Sequence, residues 1–227
     1  MSPLILTVSC ALGLFVASVG WSESAFGAEG RDQALIVAAG RNDVVSLRQL
    51  LSEGADLQAR DGRGRTALMA ATYRNHVESA RLLIEAGADV NAQDAMQNSP
   101  LLLAGASGYL EILRLTLAAK PDFKVYNRFG GTALIPACER GHVEVVRELL
   151  KTAIDVNHVN RLGWTALLEA ILLSDGGPSH QEIVKLLLVA GADPNLADHD
   201  GVTPLRHARQ KGYQAIADLL VAAKAHE

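Results

Sequence analysis

The chain is poor in the residues that stabilise small closed domains. Two cysteines occur in 227 residues, and aromatic side chains make up 4% of the whole. Cys10 lies in an apolar N-terminal run, which leaves Cys138 alone in the remainder. A disulfide framework within that remainder is excluded, and so is a zinc site built on paired cysteines. So few aromatics argue against one thick core and for thin helices packed through Ala and Leu. A dominant charge is also missing: 21 basic side chains face 25 acidic ones, for a formal net charge of −4. That mild acidity implies no nucleic-acid partner. No Gly-rich phosphate loop stands between a strand and a helix, and no His-Glu-x-x-His occurs. No cofactor is expected.

What the chain does have is a repeat. Asp61-Gly62-Arg63-Gly64-Arg65-Thr66-Ala67-Leu68 returns as Asn127-Arg128-Phe129-Gly130-Gly131-Thr132-Ala133-Leu134. It returns again as Asn160-Arg161-Leu162-Gly163-Trp164-Thr165-Ala166-Leu167, and as Asp198-His199-Asp200-Gly201-Val202-Thr203-Pro204-Leu205. The hydroxyl falls at Thr66, Ser99, Thr132 and Thr165, a spacing of 33, and then at Thr203 after 38. Fixed self-similarity at this period predicts a stacked array with an extended binding surface.

Within one unit, the Thr66 hydroxyl is placed to cap a short helix from Ala67 to about Arg74. A second helix begins near His76 and carries Val77, Ala80, Leu82, Leu83 and Ile84 on one face. Gly87 stops it. Asp89 to Asp94 and the next Gly-containing turn form an extended finger. No unit of this size buries its own apolar face; stacking does so.

These blocks resemble the ankyrin repeat family. Thr203-Pro204-Leu205 and Thr66-Ala67-Leu68 match its Thr-Pro-Leu-His block. Gly141-His142-Val143-Glu144 and Asn75-His76-Val77-Glu78 match its Gly-His block, and Gly87-Ala88-Asp89-Val90-Asn91 and Gly191-Ala192-Asp193-Pro194-Asn195 its closing turn. The resemblance implies an all-α solenoid of about six helix-turn-helix units. Their bounds are about 30–60, 61–93, 94–126, 127–159, 160–197 and 198–227. The first lacks the Thr block and reads as a polar cap. The fifth is longer by five residues, which are expected as a surface loop at 174–179. The family's His is replaced by Met69, Leu102, Ile135, Leu168 and Arg206, so apolar packing must stand in for it. Pro136 predicts a local distortion in the fourth unit.

Residues 1–27 read differently. The apolar run from Leu4 to Val19 precedes small residues at Ala25 and Gly27, as in a secretory signal peptide cleaved between Gly27 and Ala28. An uncleaved membrane anchor is the alternative. Both readings put the repeats outside the cytoplasm. With few cysteines, the periplasm is the expected location, and no membrane contact follows cleavage. Removing this segment removes Glu23 and leaves a net charge of −3.

No catalytic constellation is apparent. His76, His142 and His180 stand at the Gly-His position and read as turn-holding residues. Cys138 reads as a small buried residue, with a redox role as the competing idea. Asp89, Asp155 and Asp193 read as turn caps one repeat apart.

In the family, finger tips and the exposed side of the first helix line a concave face that grips proteins. Carried over by register, that face presents Arg63, Arg65, Tyr73, Arg74, Met96, Arg128, Phe129, Arg140, Arg161, Leu162, Trp164 and Lys211. The set is basic on an acidic chain, and Arg and aromatics concentrate binding energy. The expected activity is non-catalytic binding of an acidic protein partner by a monomer. A role protecting or inhibiting a periplasmic enzyme or toxin is one form of it. The arginines are expected to form one positive patch around Phe129 and Trp164.

Overall fold

A computed structural model of the chain describes residues 27–227. The apolar run read as a signal peptide lies outside the described residues. Within them are twelve helices and no strand. They form six antiparallel pairs: α1 (Ala28–Arg41) with α2 (Val44–Ser52), α3 (Ala67–Tyr73) with α4 (Val77–Glu85), and α5 (Pro100–Ser107) with α6 (Leu110–Ala118). Then come α7 (Leu134–Glu139) with α8 (Val143–Leu149), α9 (Ala166–Leu172) with α10 (Pro178–Val189), and α11 (Pro204–Gln210) with α12 (Gln214–Ala222).

The hydroxyl period sets the helix starts. Thr66, Ser99, Thr165 and Thr203 each accept from the backbone N–H three residues on, at 3.1–3.3 Å. Pro100 and Pro204 take the first helical position, where no N–H is needed. Helices of seven or eight residues are too short to persist alone. They are held by stacking: Leu68, Leu101, Leu134, Leu167 and Leu205 form one buried column. Ala71, Ala104, Ala137, Ala170 and Ala208 form a second, each with no exposed surface. The alanines let neighbouring inner helices approach closely, which explains the scarcity of aromatics. Met69, Leu102, Ile135 and Leu168 are buried too, so apolar contact does replace the family's histidine.

The fingers are built by side chains that close their own turns. Asp61, Asp94, Asn127, Asn160 and Asp198 each accept two backbone N–H bonds, from the residues two and four further on. At the opposite end of each finger, Asp89, Asp155 and Asp193 accept from the N–H two residues on, as their turn-capping role requires. Asn91 and Asn157 reach across to the backbone N–H of Asp122 and Asp193 in the next units.

The three expected irregularities have physical causes. In the fourth unit Pro136 has no N–H to give the Thr132 carbonyl, a bond that Ala70, Leu103, Glu169 and His207 all donate in their own units. Helix α7 therefore starts late, at Leu134, and the buried Thr132 hydroxyl has no partner. In the first unit Arg31, Asp32 and Gln33 lie inside the 14-residue α1. Asp32 and Gln33 tie that helix to the first finger, through the Asp56 N–H and the Arg60 carbonyl. In the fifth unit only part of the 174–179 insertion is loop. Pro178 and Ser179 already belong to α10, which at 12 residues exceeds every other outer helix.

Candidate interaction face

Equivalent finger positions stack side by side. The Ala95 N–H donates to the Arg63 carbonyl at 3.1 Å, and the Arg161 N–H to the Phe129 carbonyl at 2.9 Å. Met96, Phe129 and Leu162, spaced by 33, therefore stand on neighbouring fingertips. They are 51%, 46% and 48% exposed. Apolar side chains that stacking leaves outside at one register position make a stripe that core packing does not need.

Behind the stripe, eight of the twelve expected residues divide between two recesses. Arg63, Arg65, Tyr73 and Met96 line one. Arg128, Phe129, Arg140 and Leu162 line the other, a groove of about 390 Å³ that spans repeats 3 to 5. Trp164 is half-buried and lines neither. Lys211 lies at the end of α11, its ammonium 5.5 Å from the centre of the Tyr213 ring.

Of the six arginines expected in one positive patch, only Arg65 is neutralised by an ion pair. Arg65 is paired with Asp61 at 2.6 Å and lies over the Tyr73 ring at 5.7 Å. Tyr73 in turn donates its hydroxyl to Asp94 at 2.6 Å. Arg140 donates to the Ala106 carbonyl, and Arg161 to the Arg128 carbonyl. These arginines therefore spend donors on their own scaffold. Arg63, Arg74, Arg128, Arg140 and Arg161 are all exposed, with Arg128 stacked 4.7 Å over Phe129.

The groove also contains acid. Glu139 and Glu169 line it together with Arg128 and Arg140. Glu169 is 5% exposed. Burial pushes its carboxyl up to about 7, and the charge of Glu139 adds to the shift, against a hydrogen bond from Asn160. Sequence reasoning did not select Glu169. A signal was present: the inner-helix position at Ala70, Leu103 and Pro136 becomes a carboxylate at 169 in the same 33-residue register.

The residues weighed for chemistry are structural in their surroundings. Cys138 is fully buried, and burial, with Glu169 nearby, holds its thiol well above the usual range. A thiolate nucleophile is not available there. The His180 ring meets the Glu139 carbonyl through Nε2 at 3.0 Å. His142 makes the equivalent bond to the Ala106 carbonyl one repeat earlier; burial, helped by Arg140, holds it below the usual imidazole range. Both histidines hold the end of the preceding inner helix. Among the described residues no group of three His, Cys, Asp or Glu is arranged to hold a metal ion.

This geometry defines a repeat array with a fingertip face. Residues 14–94 and 101–198 match the family model described as ankyrin repeats (3 copies), and the chain belongs to that family. It is similar to an ankyrin repeat domain of known structure from Acinetobacter baumannii, at 57% identity with a TM-score of 0.84. That likeness covers 86% of this chain and 100% of the other. The ankyrin repeat protein EF0377 is 41% identical with a TM-score of 0.81, over 83% of this chain and 96% of its own. A curated Escherichia coli (strain K12) protein, YahD, named for ankyrin repeats of its own, is 57% identical over 58 residues. That match spans 26% of this chain and 29% of the relative. Ankyrin repeat domains mediate protein–protein interaction and are in general not catalytic.

Proposed function

We propose that this chain is an exported, periplasmic ankyrin protein that grips a protein partner through its fingertip stripe and the groove behind it. The stripe of Met96, Phe129 and Leu162 carries the reading: three adjacent apolar tips, each about half exposed, offer a buried anchor to a partner. Arg63, Arg74 and Arg128 bring positive charge to the same side and favour acidic groups on the partner's rim. Export rests on the apolar run and the small residues before Ala28. It is compatible with α1, whose first residue is Ala28: cleavage there removes only the Gly27 cap, whose carbonyl accepts the Arg31 N–H. No helix among the described residues is long and apolar enough to cross a membrane.

The test is capture from periplasmic extract with three baits: wild type, Phe129→Ala and Trp164→Ala. A partner held by wild type and Trp164→Ala but lost with Phe129→Ala supports the stripe. A partner lost only with Trp164→Ala moves the face to repeats 5 and 6. N-terminal sequencing of exported protein should begin at Ala28; an intact N-terminus in the membrane fraction would establish an anchor.

A further inference from the structure

Glu169 is the one buried acid on the inner helices that faces open space. It lies 5% exposed yet lines the groove, and Asn160 Nδ2, at 2.8 Å from Oε1, is the one hydrogen-bond donor that the described residues give its side chain. We propose that the floor of this groove receives a lysine or arginine side chain of the protein partner, between Glu139 and Glu169 and against Phe129 and Leu162. The proposal rests on the reading of the fingertip face as the partner site and adds the charge that the site selects.

The groove's own cations do not fill this role. Arg140 donates to the Ala106 carbonyl, Arg128 lies over Phe129, and neither makes an ion pair with Glu139 or Glu169 within 4.0 Å. On α10, which also packs against α9, His180 is taken by the Glu139 carbonyl and Asp175, Glu182 by Arg147, and Lys185 is exposed. On α7, Cys138 is a buried thiol beside Glu169. On α11, His207 is taken by Asp198 at 2.6 Å and Arg206 is exposed. Asn160 belongs to the finger and carries no charge. Two carboxylates thus share a recess with two arginines that pair with neither of them.

A buried carboxylate with one donor is poorly compensated, and a second negative charge beside it makes this worse. An incoming ammonium or guanidinium would supply charge-assisted bonds to both groups. The apolar walls, Phe129 and Leu162, would cover its methylene stem and shield the pair from water. The exposed arginines then contact acidic groups around this central cation. The partner segment defined by this pattern is an apolar stretch with one central Lys or Arg and flanking Asp or Glu.

The pH dependence follows from the same group. Free Glu169 titrates near 7, and a bound cation requires it ionised. The ionised fraction rises about tenfold between pH 6 and pH 8, so affinity should rise by about the same factor.

A displayed random-peptide library panned on the purified protein tests the proposal. The wild type should enrich peptides with Lys or Arg beside an apolar residue. The best of them should bind Glu169→Gln and Glu139→Gln at least tenfold more weakly, and bind wild type about tenfold more weakly at pH 6 than at pH 8. Gln keeps the shape of Glu and the Asn160 bond, and circular dichroism checks that the variants fold. Phe129→Ala is the control for the face itself. Peptides that need Phe129 but show no cation preference, or bind Glu169→Gln unchanged, overturn the cation receptor and leave the face standing. Binding that ignores both variants, or no enrichment at all, overturns the face as well.

Discussion

Replacing Glu169 by glutamine should stabilise the fold, and the gain should depend on pH. The carboxyl titrates near 7 in the folded chain against an ordinary value of 4.5. Between these values the folded state binds more protons than the unfolded one, so stability falls as pH rises from 4.5 to 7. Above pH 7 the full penalty is present, and below 4.5 it is absent. A shift of roughly 2.5 units corresponds to about 3 kcal/mol. Glutamine has the same shape, keeps an oxygen for Asn160 and cannot ionise. Glu169→Gln should therefore gain about 3 kcal/mol at pH 8 and about 1 kcal/mol at pH 5. In a chain of this length that is a rise in Tm of roughly 6–12 °C at pH 8. Urea unfolding of both proteins at the two pH values measures it. A gain equal at pH 5 and pH 8, or under about 1 kcal/mol at pH 8, would refute the ionisation argument.

Three further outcomes are expected. Leu149→Ala removes a side chain with no exposed surface from the middle of the array and should cost about 2–5 kcal/mol in chemical denaturation, as core truncations do. A loss under about 1 kcal/mol would place Leu149 outside the stacked core. Pro136→Ala restores the N–H that the Thr132 carbonyl lacks and lets the Thr132 hydroxyl cap α7. It should raise stability by about 1 kcal/mol or more, and a lower melting temperature would count against this account of repeat 4. Cys138 should stay unmodified by a thiol reagent in the folded protein and react at once in denaturant, because burial keeps it a thiol; modification at the same rate in both states would reopen a redox role.

The array was readable because its signals repeat. The cap at Thr66 recurs at Ser99, Thr165 and Thr203, and the finger residue Asp61 recurs as Asp94, Asn127, Asn160 and Asp198. In repeat 4 Pro136, four residues after Thr132, removes the N–H that the Thr132 carbonyl would accept, and that offset is readable in the sequence. The helical start inside the insertion was also written in the sequence, since Gly177-Pro178 places proline at the first position of α10. The face was less legible. Register put Met96, Phe129 and Leu162 on adjacent tips. It could not show that Arg65 is held by its own Asp61, or that Arg140 reaches back 34 residues to Ala106. Such bonds depend on where long flexible side chains end. Period fixes Cα positions, not the last three atoms of an arginine.

Glu169 joins the two halves of this picture, because one ionisation governs both stability and the proposed binding. In the free protein its charge is opposed by burial and by Glu139, so ionising it weakens the fold. A partner's cation would remove that opposition, and the strain on the fold would reappear as affinity. The two effects must then share a break near pH 7, which is the upper end of the stability slope that begins near 4.5. The stability difference between wild type and Glu169→Gln, and the fall in wild-type affinity on acidification, should both turn over near pH 7. Bound peptide should also raise the wild-type melting temperature more at pH 8 than at pH 6, while Glu169→Gln shows no such difference. A binding transition centred elsewhere, for example near the ordinary carboxylate range, would mean that a different group meets the partner. The buried carboxylate would then be a cost borne by repeat 5 alone.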